Sequence, residues 1–415
     1  MNKIRKHAAK LSSALLLTFL LLIGNGAAAQ ESSALSVPDN KAEVVKILTL
    51  NEINQDLTKM TPEELAAALK MFRSMRVAKA VFIGDASMEK MLNGATKGAV
   101  GALGDPHTLY LDEKAYKELM MGTTGSFGGT GIVIGIKDKV LTVVAPIEGT
   151  PGEAAGVLGG DQILKIDGVD TADLSLDEAV NRIRGPKGTL VTLTIYRKGE
   201  AVKEYPITRA TIQVKSVSGK MLDGGIGYLR ISMFSERTDA ELTAKLKELE
   251  EQGMKYTILD LRNNPGGLLE EGVKVAEHFV PQGPVVSVVT KDGTRTTYTS
   301  NLKKAPHPLA VLVNGGSASA SEIVAGAIQD AKVGTLVGVK TYGKGSVQKV
   351  IPLDKETAVK ITIAKYLTPN ERSINGIGLE PDVKVELPER SAESKEPVQD
   401  TQLDAAIQLL KNTEE

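Results

Sequence analysis

The sequence predicts a mixed α/β protein of several domains, and three observations carry that expectation. A chain of 415 residues, at about 100–200 residues per domain, is long enough for two to four. From residue 226 onward, apolar runs of strand length alternate with apolar positions at helical spacing. Before that lies a compact stretch of short apolar runs and turns ending near Glu204. With 42% hydrophobic and 24% charged residues, 41 Gly and 17 Pro, a collagen-like or largely disordered chain is excluded. Lys and Arg number 50 against 51 Asp and Glu, Trp is absent and aromatics make up 4%. Neither a positive field nor a stacking surface recruits nucleic acid, so nucleic acid is not an expected partner.

Taken in order, the chain opens with Lys3, Arg5, Lys6 and Lys10, an apolar stretch Leu11–Ile23, then Gly24-Asn25-Gly26-Ala27-Ala28-Ala29. A basic start, a short apolar run and small residues are the layout of a secretory signal peptide, and the run is shorter than the roughly 20 residues of a spanning helix. The expected location is exported, periplasmic or otherwise extracytoplasmic, with no stable membrane span after cleavage; an uncleaved membrane anchor is the alternative. Residues 30–40 read as a flexible lead-in and 41–118 as mostly helical. Thr61-Pro62-Glu63-Glu64 marks a helix start, with Leu65, Leu69 and Phe72 following at helical spacing. Met71, Met75, Met88 and Met91 are expected as core or subunit packing.

A Gly-dense turn, Gly122–Gly131, then leads into strands at Ile132–Ile134, Leu141–Val144 and Gln162–Ile166, a helix around Leu176–Ile183 and a strand Leu190–Tyr196. Further on, Tyr256–Leu261 and Leu309–Val313 read as buried strands. Each precedes a small-residue turn and a helix, near Leu268–Phe279 and Ala320–Ala331 respectively. Ligand sites in such sheets gather beyond the carboxyl ends of the strands, which directs attention to those two turns. Asp400–Lys411 reads as a last amphipathic helix after the charged segment Ser391–Glu396.

The absence of cysteine removes thiol nucleophiles, disulfides and zinc–thiolate sites. His7, His107, His278 and His307 form no close pair, so a metal-free mechanism is expected. In Asn314-Gly315-Gly316-Ser317-Ala318-Ser319-Ala320-Ser321-Glu322-Ile323, small residues crowd a strand-to-helix join and offer a hydroxyl and free amides at a helix N-terminus. Spacing alone leaves three serines as candidates, and a plain helix cap is the bland alternative. A base other than His is needed, and a buried Lys serves if its pKa falls. Lys344, in Thr341-Tyr342-Gly343-Lys344-Gly345-Ser346-Val347-Gln348, fits, with Gln348 as a neutral orienter. In Asp260-Leu261-Arg262-Asn263-Asn264-Pro265-Gly266-Gly267, the paired glycines allow a close amide as a second oxyanion donor beside that of Ala320.

Three rival motifs fail. Gly338–Lys344 matches most of a phosphate loop but has Gly345 where Ser or Thr is needed. Ser300-Asn301-Leu302-Lys303 lacks the partner motifs of penicillin-binding enzymes, and no Gly-x-Ser-x-Gly elbow surrounds Ser319.

Together with Leu103-Gly104-Asp105-Pro106-His107-Thr108, the three motifs above resemble those of the carboxyl-terminal processing peptidases, in the right order from about residue 95 to 390. The resemblance implies a crotonase/ClpP-like serine protease core of β-α-β units, an inserted α+β PDZ domain and N-terminal helices, without metal or cofactor. It puts the nucleophile on Ser319, the general base on Lys344, the orienting role on Gln348 and the oxyanion donors on Ala320, Gly266 and Gly267. Phe127–Ile132, Ala154–Val157 and Gly160–Gly168 resemble PDZ segments. Amides around Gly129, Thr130, Gly131 and Ile132 would hold a terminal carboxylate, and Arg184 would couple the module to the core.

The implied domains are 1–29 signal peptide, 30–118 N-terminal helical region, 119–205 PDZ domain, 206–390 protease core and 391–415 charged tail with a C-terminal helix. Expected partners are protein or peptide substrates with free C-termini and a second copy in a homodimer; the need for a regulatory partner protein is left open. The rival function is a catalytically silent PDZ scaffold of the cell envelope.

Overall fold

The computed structural model describes residues 58–388 and 399–412; the leader expected at 1–29 and the segment Ser391–Glu396 lie outside them. Helix α1 (Pro62–Val81) starts as its sequence dictates: the Thr61 hydroxyl accepts the Glu64 N–H and the Glu64 carboxylate accepts the Thr61 N–H. Along it only Met75 is buried, whereas Leu69, Met71, Phe72 and Val77 are exposed. Helix α2 (Met88–Gly101), strand β1 (Leu109–Leu111) and helix α3 (Glu113–Thr124) follow. Of the stretch 41–118 expected to be helical, residues 41–57 lie outside the described residues; over 58–118 the one strand is β1, and α3 continues across position 118.

A two-strand ribbon carries the chain into the next module and out of it: β2 (Ser126–Gly129) pairs antiparallel with β9 (Ala210–Gln213). Between them lie β3 (Ile132–Lys137), β4 (Val140–Pro146), the short α4 (Pro151–Ala154), β5 (Gln162–Ile166), β6 (Val169–Asp170), α5 (Leu176–Ile183), β7 (Leu190–Tyr196) and β8 (Lys203–Thr208). The sheet order is β3-β4-β5-β7-β8 with β6 on β5. Period-two burial on β7 turns Val191, Leu193 and Ile195 inward, where they meet Leu141, Val143, Ile163 and Ile166 under Ala179 and Ile183 of α5. Each such side chain contributes about 1.5–3 kcal/mol on burial. Because β8 pairs along β7 up to Thr208, the module's last strand runs beyond residue 205.

The remaining chain forms β10 (Val217–Leu222), β11 (Ile226–Ile231), α6 (Thr238–Glu251), β12 (Tyr256–Asp260), α7 (Leu269–Glu277), β13 (Gly283–Thr290), β14 (Arg295–Ser300), β15 (Leu309–Val313), α8 (Ala320–Asp330), β16 (Thr335–Gly338), β17 (Ser346–Pro352), β18 (Ala358–Leu367), β19 (Val383–Lys384) and α9 (Thr401–Lys411). A six-stranded sheet has the order β10-β11-β12-β15-β16-β19, parallel except at β10. Every residue of β12 and β15 is buried, because helices cover both faces. On one face Leu259, Val311 and Val313 pack with Leu242 of α6, Val275 of α7 and Ile323 and Val324 of α8. On the other, Ile258, Ala310 and Leu312 meet Ala406 and Leu410 of α9.

The second sheet is antiparallel, ordered β1-β18-β13-β14, with β17 along the opposite edge of β18. It brings residues near 108 and near 348 to the same strand, β18, and so closes the far side of the site.

Candidate active site

Two strand ends and one turn build the site. Beyond β15 the chain reverses tightly into α8, and Ser319, the N-cap, has φ 56° and ψ −116°, a backbone region that non-glycine residues adopt only when the surroundings impose it. The surroundings do impose it. The Ser317 hydroxyl donates to the Leu261 carbonyl at 2.8 Å and accepts the Asn314 N–H, and the Ser321 hydroxyl donates to the Asn264 carbonyl at 2.9 Å. Asn314 and Asn263 exchange hydrogen bonds across the two turns, and the Ala318 N–H donates to the Asn264 carbonyl. Of the three candidate serines, two therefore spend their hydroxyls on neighbouring backbone, whereas the Ser319 hydroxyl has no acceptor among the described residues.

The turn after β12 lies directly against this serine. A Cβ on Gly266 would stand 2.7 Å from both the Ser319 Cβ and the Ala318 carbonyl oxygen, and 2.9 Å from the Ala320 nitrogen, so only glycine allows the approach. The Gly266 N–H, however, already donates to Asn264 Oδ1 at 2.9 Å. This corrects the expectation of Gly266 as an oxyanion donor. Its N–H is committed because Asn264 Oδ1, two residues back, completes a local side-chain turn. The amides of Gly267 and Ala320 donate to no protein group among the described residues.

The turn carrying Lys344 is tied to that of Ser319 by a residue that sequence reasoning had not singled out. Glu322 is fully buried, and its carboxylate accepts the Ser319 N–H at 2.9 Å, the Gly343 N–H at 2.7 Å, the Lys344 N–H at 2.9 Å and the Thr341 hydroxyl at 2.5 Å. The signal for it was present, since Glu three positions after a Ser that caps a helix is the capping-box spacing. Lys344 itself is half-buried, flanked by Gly343 and Gly345, on which a Cβ would run into the backbone at Gly378 and Asn375. Burial and the charge of Lys360 push the Lys344 amine below the usual lysine range, against the opposing pull of Glu322 and Asp105. Gln348 lies on β17, where its Nε2 donates to Ser346 Oγ at 2.8 Å and Thr362 Oγ1 at 3.1 Å.

The upstream turn at Asp105–Thr108 borders the same region. Burial and the charge of Lys344 hold the His107 imidazole below its ordinary value, with Asp105 acting in the opposite sense. Among the described residues no group of three or more His, Asp or Glu side chains is arranged to hold a metal ion, and no helix is long and apolar enough to cross a membrane.

In the inserted module, the carbonyls of Thr130 and Gly131 accept the Gly152 and Ile147 N–H groups, both at 2.7 Å, whereas the Thr130 and Gly131 amides donate to no protein group among the described residues. Thr130 is 1% exposed and its hydroxyl is without a partner. Arg184, the residue that ends α5, places its guanidinium 4.4 Å from the Phe127 ring centre and reaches Met121 Sδ of α3 at 3.7 Å. It borders a cavity of about 790 Å³ between α3 and the module, lined also by Met120, Met121, Phe127, Pro186 and Lys187.

The family model for peptidase family S41 matches residues 225–385 and that for a PDZ domain matches 142–197. A carboxyl-terminal-processing protease of Synechocystis sp. is 44% identical over 325 residues, 76% of this chain and 76% of that protein. The chain belongs to the carboxyl-terminal processing proteases of peptidase family S41. A carboxy-terminal-processing protease of Bartonella bacilliformis is 41% identical over 350 residues, 82% of this chain and 78% of its own length. A solved photosystem II D1 C-terminal processing protease is 29% identical, covers 85% of this chain and 98% of its own, and superposes with a TM-score of 0.46. By the family matches the protease is a serine-type peptidase with a PDZ peptide-binding module, and its own elements make the fold mixed α/β.

Proposed function

We propose that the protease is an exported endopeptidase that recognises the free C-terminus of its substrate through the PDZ module and cleaves near it with Ser319 as nucleophile and Lys344 as general base. The observation that carries this reading is the Glu322 carboxylate, which clamps the Ser319 amide and the Lys344 amide to one buried group. Two turns 25 residues apart in sequence are thereby held as one unit.

Chemistry follows from the groups present. The neutral Lys344 amine takes the Ser319 hydroxyl proton as Oγ attacks the scissile carbonyl carbon. The Ala320 and Gly267 amides, both uncommitted, donate to the oxyanion at the positive end of α8. Protonated Lys344 gives its proton to the leaving amine as the C–N bond breaks, leaving an ester on Ser319. A water that yields its proton to Lys344 then attacks that ester, and Lys344 returns the proton to Ser319 Oγ as the C–O bond breaks and the new C-terminus leaves. The depressed pKa of Lys344 is what makes a neutral amine available for the first step.

For recognition, the free amides of Thr130 and Gly131, within the Gly129–Ile132 loop, receive the terminal carboxylate while the peptide adds to the sheet edge at β3. Arg184 bridges α5, Phe127 and α3 and relays occupancy of the module to the core. Export rests on the basic, apolar and small-residue layout of residues 1–29.

The test incubates the protease and its Ser319→Ala variant with an unfolded protein bearing either a free or an amidated C-terminus, with fragments followed by mass spectrometry. Cleavage that disappears in Ser319→Ala and weakens on amidation is expected. Cleavage that survives Ser319→Ala, or ignores amidation, contradicts the nucleophile or the recognition step respectively.

A further inference from the structure

The turn Gly104–Thr108 enters no step of that mechanism, yet the second sheet delivers it to the site. In register, Leu109 of β1 pairs with Lys360 and Leu111 with Ala358, while β13 pairs with β18 only from Ala364 to Leu367. On that edge of β18, therefore, residues 361–363 have no strand beside them, and the turn before β1 fills the gap: the Thr362 N–H donates to Thr108 Oγ1 at 3.1 Å. Thr108 is 2% exposed, and its hydroxyl proton goes to Asp105 Oδ2 at 2.6 Å. The other Asp105 oxygen accepts the His107 N–H at 3.2 Å.

Across the opposite edge of β18, Thr362 is the register partner of Gln348 on β17. There the Thr362 hydroxyl oxygen accepts from Gln348 Nε2, while its backbone N–H is held by Thr108 Oγ1 on the other edge. Two hydroxyl oxygens therefore hold the Gln348 amide. Its Nε2 hydrogens go to Thr362 Oγ1 and Ser346 Oγ, which leaves Oε1 as the free acceptor.

We propose that Thr362 is a positioning residue for the peptidase reaction: braced by the Asp105–Thr108 turn, its hydroxyl fixes the Gln348 side chain so that Oε1 accepts from the Lys344 amine. The inference rests on the assignment of Lys344 and Gln348 made above. It also gives Asp105 and Thr108 a task, that of holding the one stretch of β18 that lacks a strand on their side. Thr362 touches neither substrate nor reacting atoms; its effect passes through Gln348.

The experiment compares steady-state cleavage by full-length wild type, Thr362→Val, Thr362→Ser, Gln348→Ala and the Thr362→Val/Gln348→Ala double variant, with thermal melting of each. Thr362→Val keeps the β-branched shape and removes the hydroxyl. Its kcat is expected to fall roughly tenfold to a hundredfold with KM unchanged. Thr362→Ser restores most of that loss, and Thr362→Val adds nothing once Gln348 is already Ala. Independent, multiplicative losses in the double variant, or a change in KM alone, overturn the proposal. Wild-type kcat for Gln348→Ala overturns the role of Gln348 itself, whereas an impaired Gln348→Ala beside an unimpaired Thr362→Val overturns only the present inference. Should Thr362→Val fail to fold, Asp105→Asn is read in its place: kcat falls with KM unchanged if the brace matters, and wild-type kcat contradicts it.

Discussion

The two Gly-rich loops of this protease, the Ser319 turn in the core and the Gly129–Ile132 loop in the inserted module, solve opposite problems. Around Ser319 the side chains of Ser317, Ser321, Asn314 and Glu322 all hold backbone and Asn263 Oδ1 holds the Asn314 side chain, so that the strained φ of Ser319 persists and only its hydroxyl and the Gly267 and Ala320 amides are left open among the described residues. In the module, two successive amides are unused and the Thr130 hydroxyl is buried without a partner. On the proposed assignment the Ser319 hydroxyl reacts and has to be held within a fraction of an ångström, which an over-determined loop provides. A loop that waits for a terminal carboxylate keeps its donors open until the ligand supplies the acceptor.

The contrast breaks first at the proposed nucleophile and base. Ser319→Ala and Lys344→Arg are each expected to lower kcat by about 10³ or more, because Arg keeps the charge but does not release a proton near neutral pH. Fragment analysis of a common substrate checks both, and wild-type turnover by either variant ends the assignment. Next comes Glu322→Gln, which keeps the shape but sets an amide NH2 against backbone and hydroxyl donors. It should lower kcat about a hundredfold and stability by about 2–4 kcal/mol, measured by kinetics and denaturant melts. A variant with wild-type melting and turnover would show that the two turns do not need this clamp.

Smaller effects belong to the module. Arg184→Ala is expected to change the response to substrate C-termini about tenfold or less in kcat/KM, leaving cleavage of an amidated substrate unaltered. Equal losses on both substrates would remove the coupling role. The smallest and opposite effect is expected from Thr130→Val, where loss of an unpaired buried hydroxyl at constant shape raises stability by about 1 kcal/mol. A lower melting temperature would mean that the hydroxyl has a partner in solution.

The sequence disclosed this comparison unevenly. Strands β12 and β15 were legible because both faces are covered, so their residues form unbroken apolar runs, and the helices after them begin at recognisable small-residue turns. The antiparallel sheet was not. Strand β14, Arg-Thr-Thr-Tyr-Thr-Ser, is mostly exposed and polar, and β1 has three residues in a region that otherwise reads as helix. Ser319 and Lys344 stood out as side chains in turns, with the family resemblance choosing among three serines. The commitment of the Gly266 amide to Asn264 Oδ1 follows the two-residue spacing of a local Asn turn that went unread, whereas the bond from Thr362 to Thr108, 254 residues apart, depends on how the turns pack and leaves no local pattern.

The central claim, a neutral lysine acting on a serine, is tested most directly by the dependence of kcat/KM on pH. Burial and the Lys360 charge lower the Lys344 pKa, so the neutral, competent form gains population as pH rises through that lowered value. The same depression makes the folded state bind fewer protons than the unfolded chain between the lowered value and the ordinary one. Stability therefore gains from this group as pH rises through that window, and the destabilisation it causes is full below it. The account predicts that kcat/KM rises with pH to a plateau reached below the usual lysine range, and that Lys344→Arg shows no turnover at any pH. A profile that is flat across that range, or turnover by Lys344→Arg with the same rising limb, would contradict it.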